Sequence, residues 1–225
     1  MPIVLDERDE LELEAIEAMW DELRRADELF STYKEDSEIS RLNRGALALE
    51  DAHPDVREVL ARCDELRTIT GGFFDAGGVL EHGVDPSGLV KGWAAEGAAT
   101  QLARLRGFDH YLNAGGDVTG RVASRCPAWQ VAVQDPQNTN AFLTILELRS
   151  GGVATSGSAE RGQHIIDPHT GRHPGDLLAV TVTGPSLLWA DVFATAAFAR
   201  GGEDVEEWVA TCAPGYEVAA LARAP

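Results

Sequence analysis

Residues 153–174, VATSGSAERGQHIIDPHTGRHP, carry the chain's densest run of side chains suited to chemistry. Val153 opens the run as a strand-like position and leads into the small hydroxylated residues Thr155, Ser156 and Ser158. A charged loop follows, then His164 beside two isoleucines, then Asp167-Pro168-His169-Thr170-Gly171. Proline presets φ and glycine accepts positive φ, so this last segment is turn chemistry. The expectation is that a rigid turn holds His164 at the rim of a short strand. A surface hairpin carrying a solvated histidine fits the same residues.

The whole chain sets the outer bounds. Its 225 residues, 44% hydrophobic and 25% charged, read as a globular chain able to bury a sizeable core. The 37 acidic side chains against 19 basic ones give a net charge of −18, which argues against nucleic-acid binding through a general field. An anionic ligand would need local cations. Cys63, Cys126 and Cys212 stand far apart with no CxxC pair, which gives no zinc pattern and suits a reducing compartment. The start, MPIVLDERDELELEA, has no positive n-region, apolar h-region or lipobox cysteine, and no apolar run approaches the roughly 18 residues of a membrane span. A cytoplasmic protein and a single domain over residues 1–225 are expected.

Helical periodicity at Leu13, Ile16, Trp20, Leu23 and Phe30 predicts an amphipathic helix over roughly residues 7–30. FSTYKEDSEISRLNR (30–44) crowds hydroxyl, amide and aromatic groups, suited either to line a polar ligand or to cap the next helical turn. Pro54 opens a second helix with Val56, Val59, Leu60, Cys63 and Leu66 on one face, and Gly71-Gly72 ends it. Phe73-Phe74-Asp75 follows, two aromatics and a carboxylate that suit either a planar ring or the core. DPSGLVKGWAAEGAATQLARL (85–105) runs from a turn into a helix expected to end at Gly107, and such a helix N-terminus with Lys91 suits phosphate. GxxxxGK[ST] is absent, so this is no Walker A loop.

YLNAGGDVTG (111–120) reads as a strand meeting a glycine pair, either a plain turn or a close approach to ligand. Alternation at Trp129–Asp135 and Phe142–Leu148 predicts a hairpin, and Ala179–Thr183 another strand. After Gly184-Pro185-Ser186 comes a helix in which Asp191 and Thr195, four apart, share a face. They are hard oxygen ligands for Mg²⁺, or Thr195 bonds its own i−4 carbonyl. A helix near Glu203–Cys212 and a strand near Tyr216–Leu221 close the chain as scaffold.

The order of FSTY…SEISRLN, TGGFFDA, DPSGLVKGWAAE, LNAGGDVTG, ATSG…HIIDPHTG and VTVTGPSLLWADVFATA resembles the ApbE-type flavin transferases, the FAD:protein FMN transferase family, over about residues 28–201. The resemblance implies an α+β fold with mixed and antiparallel sheets packed against amphipathic helices. It implies Mg²⁺-dependent transfer of FMN from FAD to a threonine hydroxyl of a target flavoprotein, with release of AMP. By the same resemblance Asp191, Thr195 and a backbone carbonyl at Gly88 would hold Mg²⁺. Phe73, Phe74, Asp75, Asp85, Lys91 and Ile165, together with Tyr33, Asn43 and Asp117, would contact FAD. His164 would assist proton transfer, an imidazole titrating near about 6.5 when unperturbed; Asp167 would do this instead or hold the turn.

The chain departs from the pattern twice. The family usually begins with a strand carrying Met-Gly-Thr that helps cover the flavin, whereas this chain starts MPIVLD. Ser158-Ala159 stand where the family often has Asp-Tyr. An FAD pyrophosphatase, with water in place of threonine, and a non-catalytic flavin carrier are the alternative functions.

Overall fold

A computed structural model describes residues 3–7, 13–77, 83–103, 109–123, 125–159 and 162–224. Its centre is an antiparallel six-stranded sheet in the order β1-β2-β3-β6-β7-β8. The strands are β1 (Ile3–Glu7), β2 (His110–Ala114), β3 (Asp117–Arg121), β6 (Ser150–Gly157), β7 (Leu177–Gly184) and β8 (Glu217–Arg223). Between β3 and β6 the chain leaves the sheet to form a separate hairpin of β4 (Trp129–Asp135) and β5 (Asn138–Leu148). The predicted hairpin is therefore present, with β5 starting earlier than the alternation indicated. β1 was not anticipated; it pairs with β2 from Ile3↔Ala114 to Glu7↔His110. The turn between β2 and β3 is two residues, Gly115 and Gly116, at φ 62° and 97°, the left-handed geometry a tight hairpin requires.

The helices are α1 (Leu13–Phe30), α2 (Glu38–Asn43), α3 (Pro54–Ile69), α4 (Ser87–Ala103), α5 (Leu187–Arg200) and α6 (Val205–Cys212). α1 is described from Leu13, and residues 8–12 of the expected helix and Gly107 lie outside the described residues. Its buried stripe is Met19, Ala26 and Phe30, while Leu13 and Trp20 are exposed. The stripe is rotated from the predicted one because Met19 enters the cluster of Ala98, Ala99 and Leu102 on α4. In 30–44 capping prevails: Ser37 Oγ accepts the Ser40 N–H and donates to Ser31 O, fixing α2. α3 begins at Pro54 and gives way to Thr70-Gly71-Gly72 as predicted.

α5 is apolar almost all round and buried almost throughout, as a helix must be when packed on both sides. Ala190, Phe193, Ala194 and Ala197 join the cluster over the sheet, while Val192 and Ala196 join the cluster with α3 and α4. Small residues admit it. A Cβ on Gly92 of α4 would sit 2.9 Å from Leu188 Cα, and one on Gly152 of β6 would fall inside the backbone of Leu187. No described helix is long and apolar enough to cross a membrane.

Overpacking against backbone, which cannot move aside, costs more than against a side chain. Gly152→Ala is expected to lower unfolding stability by ~3 kcal/mol in urea denaturation; unchanged stability would show that α5 is not seated on β6.

Candidate functional site

A cavity of about 570 Å³ opens where β2, β3, β4, β6, the first turn of α4, the Phe73–Ala76 segment and the 164–168 loop converge. That size falls in the range of small-molecule sites. One side of its mouth joins two distant segments. Thr70 Oγ1 donates to Leu66 O and accepts the Phe74 N–H, closing α3 and turning the chain at Gly71-Gly72. His169 Nε2 lies 3.1 Å from Gly71 O, and a Cβ on Gly72 would sit 3.1 Å from its ring. Phe73 stands edge-on to the same imidazole, centroids 4.7 Å apart. The glycine pair thus lets the DPHTG turn dock on the TGGFF turn. Asp167 holds that turn internally, accepting from Thr170 Oγ1 at 2.8 Å and from the His169 N–H at 2.9 Å.

The floor is charged and buried. Lys91 on α4 sets its ammonium 2.5 Å from Asp117 Oδ2 and 3.3 Å from Asp191 Oδ1. Asp117 and Asp191 are each 1% exposed. Asp117 Oδ1 accepts the Thr155 N–H at 3.1 Å. Asp191 Oδ2 is buried without a hydrogen-bond partner. Burial, then the neighbouring Asp117 charge, push the Asp191 carboxyl up to about 7, against the pull of Lys91 and the Gly92 N–H. Burial also works against the charged form of Lys91, but Asp191 and Asp117 outweigh it and hold the ammonium above its ordinary range.

One turn along α5, Thr195 Oγ1 lies 3.0 Å from Ser156 Oγ on β6. Its hydroxyl thus has a partner across the cavity besides any carbonyl of its own helix. α5 is held at its start by Glu96 of α4, whose Oε2 accepts from Ser186 Oγ at 2.6 Å and from the Leu188 N–H at 3.0 Å. Glu96 lies off the cavity wall and was not legible from sequence, because its partners Ser186 and Leu188 stand on a distant element.

Of the residues named from sequence, Phe73, Phe74, Asp75, Asp85, Gly88, Lys91, His164, Ile165, Asp191 and Thr195 line this one cavity. Phe74 is buried in the helical core cluster at the same time. Asp75 pairs with Arg67 at 3.3 Å, and Asp85 Oδ1 accepts the Ser87 N–H at the start of α4. His164 is exposed, on loop rather than on the predicted strand rim; among the described residues of this loop the isolated Asp167↔Arg172 bridge is the strand-type pairing. Its Nδ1 lies 3.1 Å from Gly162 O.

Three expected flavin contacts lie elsewhere. Tyr33 is 97% exposed and absent from the cavity wall. Asn43 clamps the Val84 main chain, Nδ2 to O at 2.9 Å and N–H to Oδ1 at 2.7 Å. Asp117 lies behind the wall, against Lys91. Among the described residues no three His, Cys, Asp or Glu side chains cluster as a metal cage. A Mg²⁺ site needs no such cage, since the ion keeps waters and substrate phosphate oxygens. The unpartnered Asp191 Oδ2, with Thr195 on the same helix, fits that donor set.

A profile described as the ApbE family matches residues 3–78 and 79–220. Over 138 residues the chain is 34% identical to the FAD:protein FMN transferase of Salmonella typhimurium (strain LT2), covering 56% of this chain and 39% of that protein. The match thus spans about two fifths of that relative's length. The FAD:protein FMN transferase of Vibrio cholerae serotype O1 is 27% identical over 240 residues, covering 80% of this chain and 72% of that one. The crystal structure of the ApbE protein of Thermotoga maritima aligns with a TM-score of 0.84 at 22% identity, covering 99% of this chain and 92% of that chain. The apo flavinyl transferase ApbE of Pseudomonas stutzeri aligns at 0.76 and 22% identity, covering 93% of this chain and 84% of that chain. These structures share the α+β fold.

A carboxyl raised from 3.8 to about 7 keeps a proton in the fold that the unfolded chain has already lost, so its contribution to stability falls as pH rises between those values and stays low above them. Asp191→Asn is expected to melt several degrees higher than the parent at pH 8 and to flatten the dependence of Tm on pH between 5 and 8. Parallel profiles for the two proteins would contradict the assignment.

Proposed function

This chain belongs to the ApbE family, and we propose that it is an enzyme that moves FMN from FAD onto a threonine hydroxyl of a partner flavoprotein, releasing AMP, with Mg²⁺ bound. The observation carrying this reading is the buried Lys91–Asp117–Asp191 cluster on the floor of a cavity whose rim presents an exposed histidine. Phe73 and Ile165 offer apolar surface to a planar ring, and Asp75 and Asp85 polar contacts. The positive end of the α4 dipole faces the diphosphate, joined by the Lys91 ammonium. In so acidic a chain, with Lys91 already paired to Asp117 and Asp191, a diphosphate also needs the charge of a bound cation. Asp191, Thr195 and the Gly88 carbonyl would hold Mg²⁺, which neutralises phosphate charge.

The reaction joins the threonine Oγ to the phosphorus on the riboflavin side. The bond from that phosphorus to the bridging oxygen breaks, and AMP departs with the oxygen. The hydroxyl proton passes to His164. The tautomer that donates Nδ1–H to Gly162 O leaves Nε2 as acceptor, and its exposed position lets a protein-borne threonine reach it. Cys63, Cys126 and Cys212 form no disulfide, which suits a reducing compartment and a cytoplasmic place of action.

The test supplies FAD and Mg²⁺ with and without a small flavoprotein domain bearing an exposed acceptor threonine, following AMP and acceptor mass. AMP with an FMN increment on the acceptor is expected, and His164→Ala should slow it by about 10²–10⁴-fold while FAD still binds. AMP without acceptor would mean hydrolysis, and bound FAD with no AMP in either tube a carrier.

A further inference from the structure

We propose that Asp117 is a positioning residue that draws the Lys91 ammonium away from Asp191, leaving Asp191 open to a divalent cation. This rests on the reading of the cavity as a metal-assisted transfer site. The floor holds one ammonium between two carboxylates, and the sharing is unequal: 2.5 Å to Asp117 Oδ2 against 3.3 Å to Asp191 Oδ1. A carboxylate neutralised by an ammonium attracts a second cation poorly. Here the more closely paired carboxylate is the one behind the wall. Each keeps a buried Oδ2 without a hydrogen-bond partner, that of Asp117 against the Lys91 ammonium, and of the two it is Asp191 that lines the cavity.

Asp117 does a second job that can be separated from the first. β3 pairs with β6 at Val118↔Val153, and Asp117 stands one residue further on, where the strand runs into the glycine turn. There its Oδ1 takes the Thr155 N–H in place of a ladder carbonyl. Asparagine has the same shape and keeps an acceptor oxygen for that bond, yet carries no charge to hold Lys91. With Asp117 neutral, Asp191 is the remaining carboxylate against the ammonium, and Lys91 closes on it. Among the described residues lining the cavity no other lysine or arginine stands ready to replace it.

The experiment titrates Mn²⁺ alone, without flavin, into the full chain and reads free Mn²⁺ by electron paramagnetic resonance. The parent, Asp117→Asn, Lys91→Met, the double variant and Asp191→Asn are compared. Asp117→Asn is expected to bind Mn²⁺ about tenfold more weakly than the parent. Adding Lys91→Met to it should restore parental affinity or better, because no ammonium remains to quench Asp191. A merely structural Asp117 would not be rescued by removing a lysine. Parental affinity in Asp117→Asn, or a double variant as weak as Asp117→Asn, overturns the proposal while leaving the metal site standing. Equal Mn²⁺ binding by the parent and Asp191→Asn overturns the metal reading, and the role of Asp117 falls with it.

Discussion

One ammonium shared by two buried carboxylates is the constraint on which this structure turns. A carboxylate taken out of water without a partner costs several kcal/mol, and Asp191 sits on a helix that is otherwise apolar nearly all round. The fold tolerates it because Lys91 reaches it from α4 and the Gly92 N–H faces it. Both depend on how closely α4 and α5 pack, which Gly92 permits and the Glu96 cap at the start of α5 holds in register. Gly152 seats the same helix on β6. Residues that never touch the cavity therefore fix the geometry of its floor.

The rim obeys a different logic. Gly71 and His169 stand 98 positions apart in sequence and meet through one hydrogen bond and a ring laid over a missing Cβ. A side chain at Gly72 would separate the two turns. Phe73, wedged against His169 on one side and Trp208 on another, is fixed by this docking. Asp167 stiffens its turn with bonds internal to it. Floor and rim thus combine a rigid charged base with a solvent-facing histidine, an arrangement suited to a buried diphosphate meeting a group brought from outside.

Much of this was legible in the sequence, for definable reasons. Short-range rules found α3 between Pro54 and Gly71, the β4–β5 hairpin, and Asp191 with Thr195 on one face of α5. The ordered motifs brought ten of the named residues to one cavity. What escaped depends on contacts between distant elements. Ser156 becomes a partner of Thr195 only through the packing of α5 on β6. Glu96 caps a helix 92 residues away. Tyr33 and Asn43 sit in a polar segment whose composition suits a ligand, yet its groups are spent on capping α2 and clamping Val84. The buried face of α1 was misjudged because Trp20 outweighs Met19 in periodicity, while the shape of α4 admits the methionine. The five residues of β1 are strand only because β2 lies beside them.

The proposed role of the Lys91–Asp191 floor is to hold the FAD diphosphate for cleavage. A crystal structure of the protein with FAD and Mg²⁺ tests it most directly. The diphosphate is expected against Lys91 and the first turn of α4, with a cation on Asp191 and Thr195 and the phosphorus on the riboflavin side facing His164. FAD bound with its diphosphate turned away from Lys91, or outside this cavity, would contradict it.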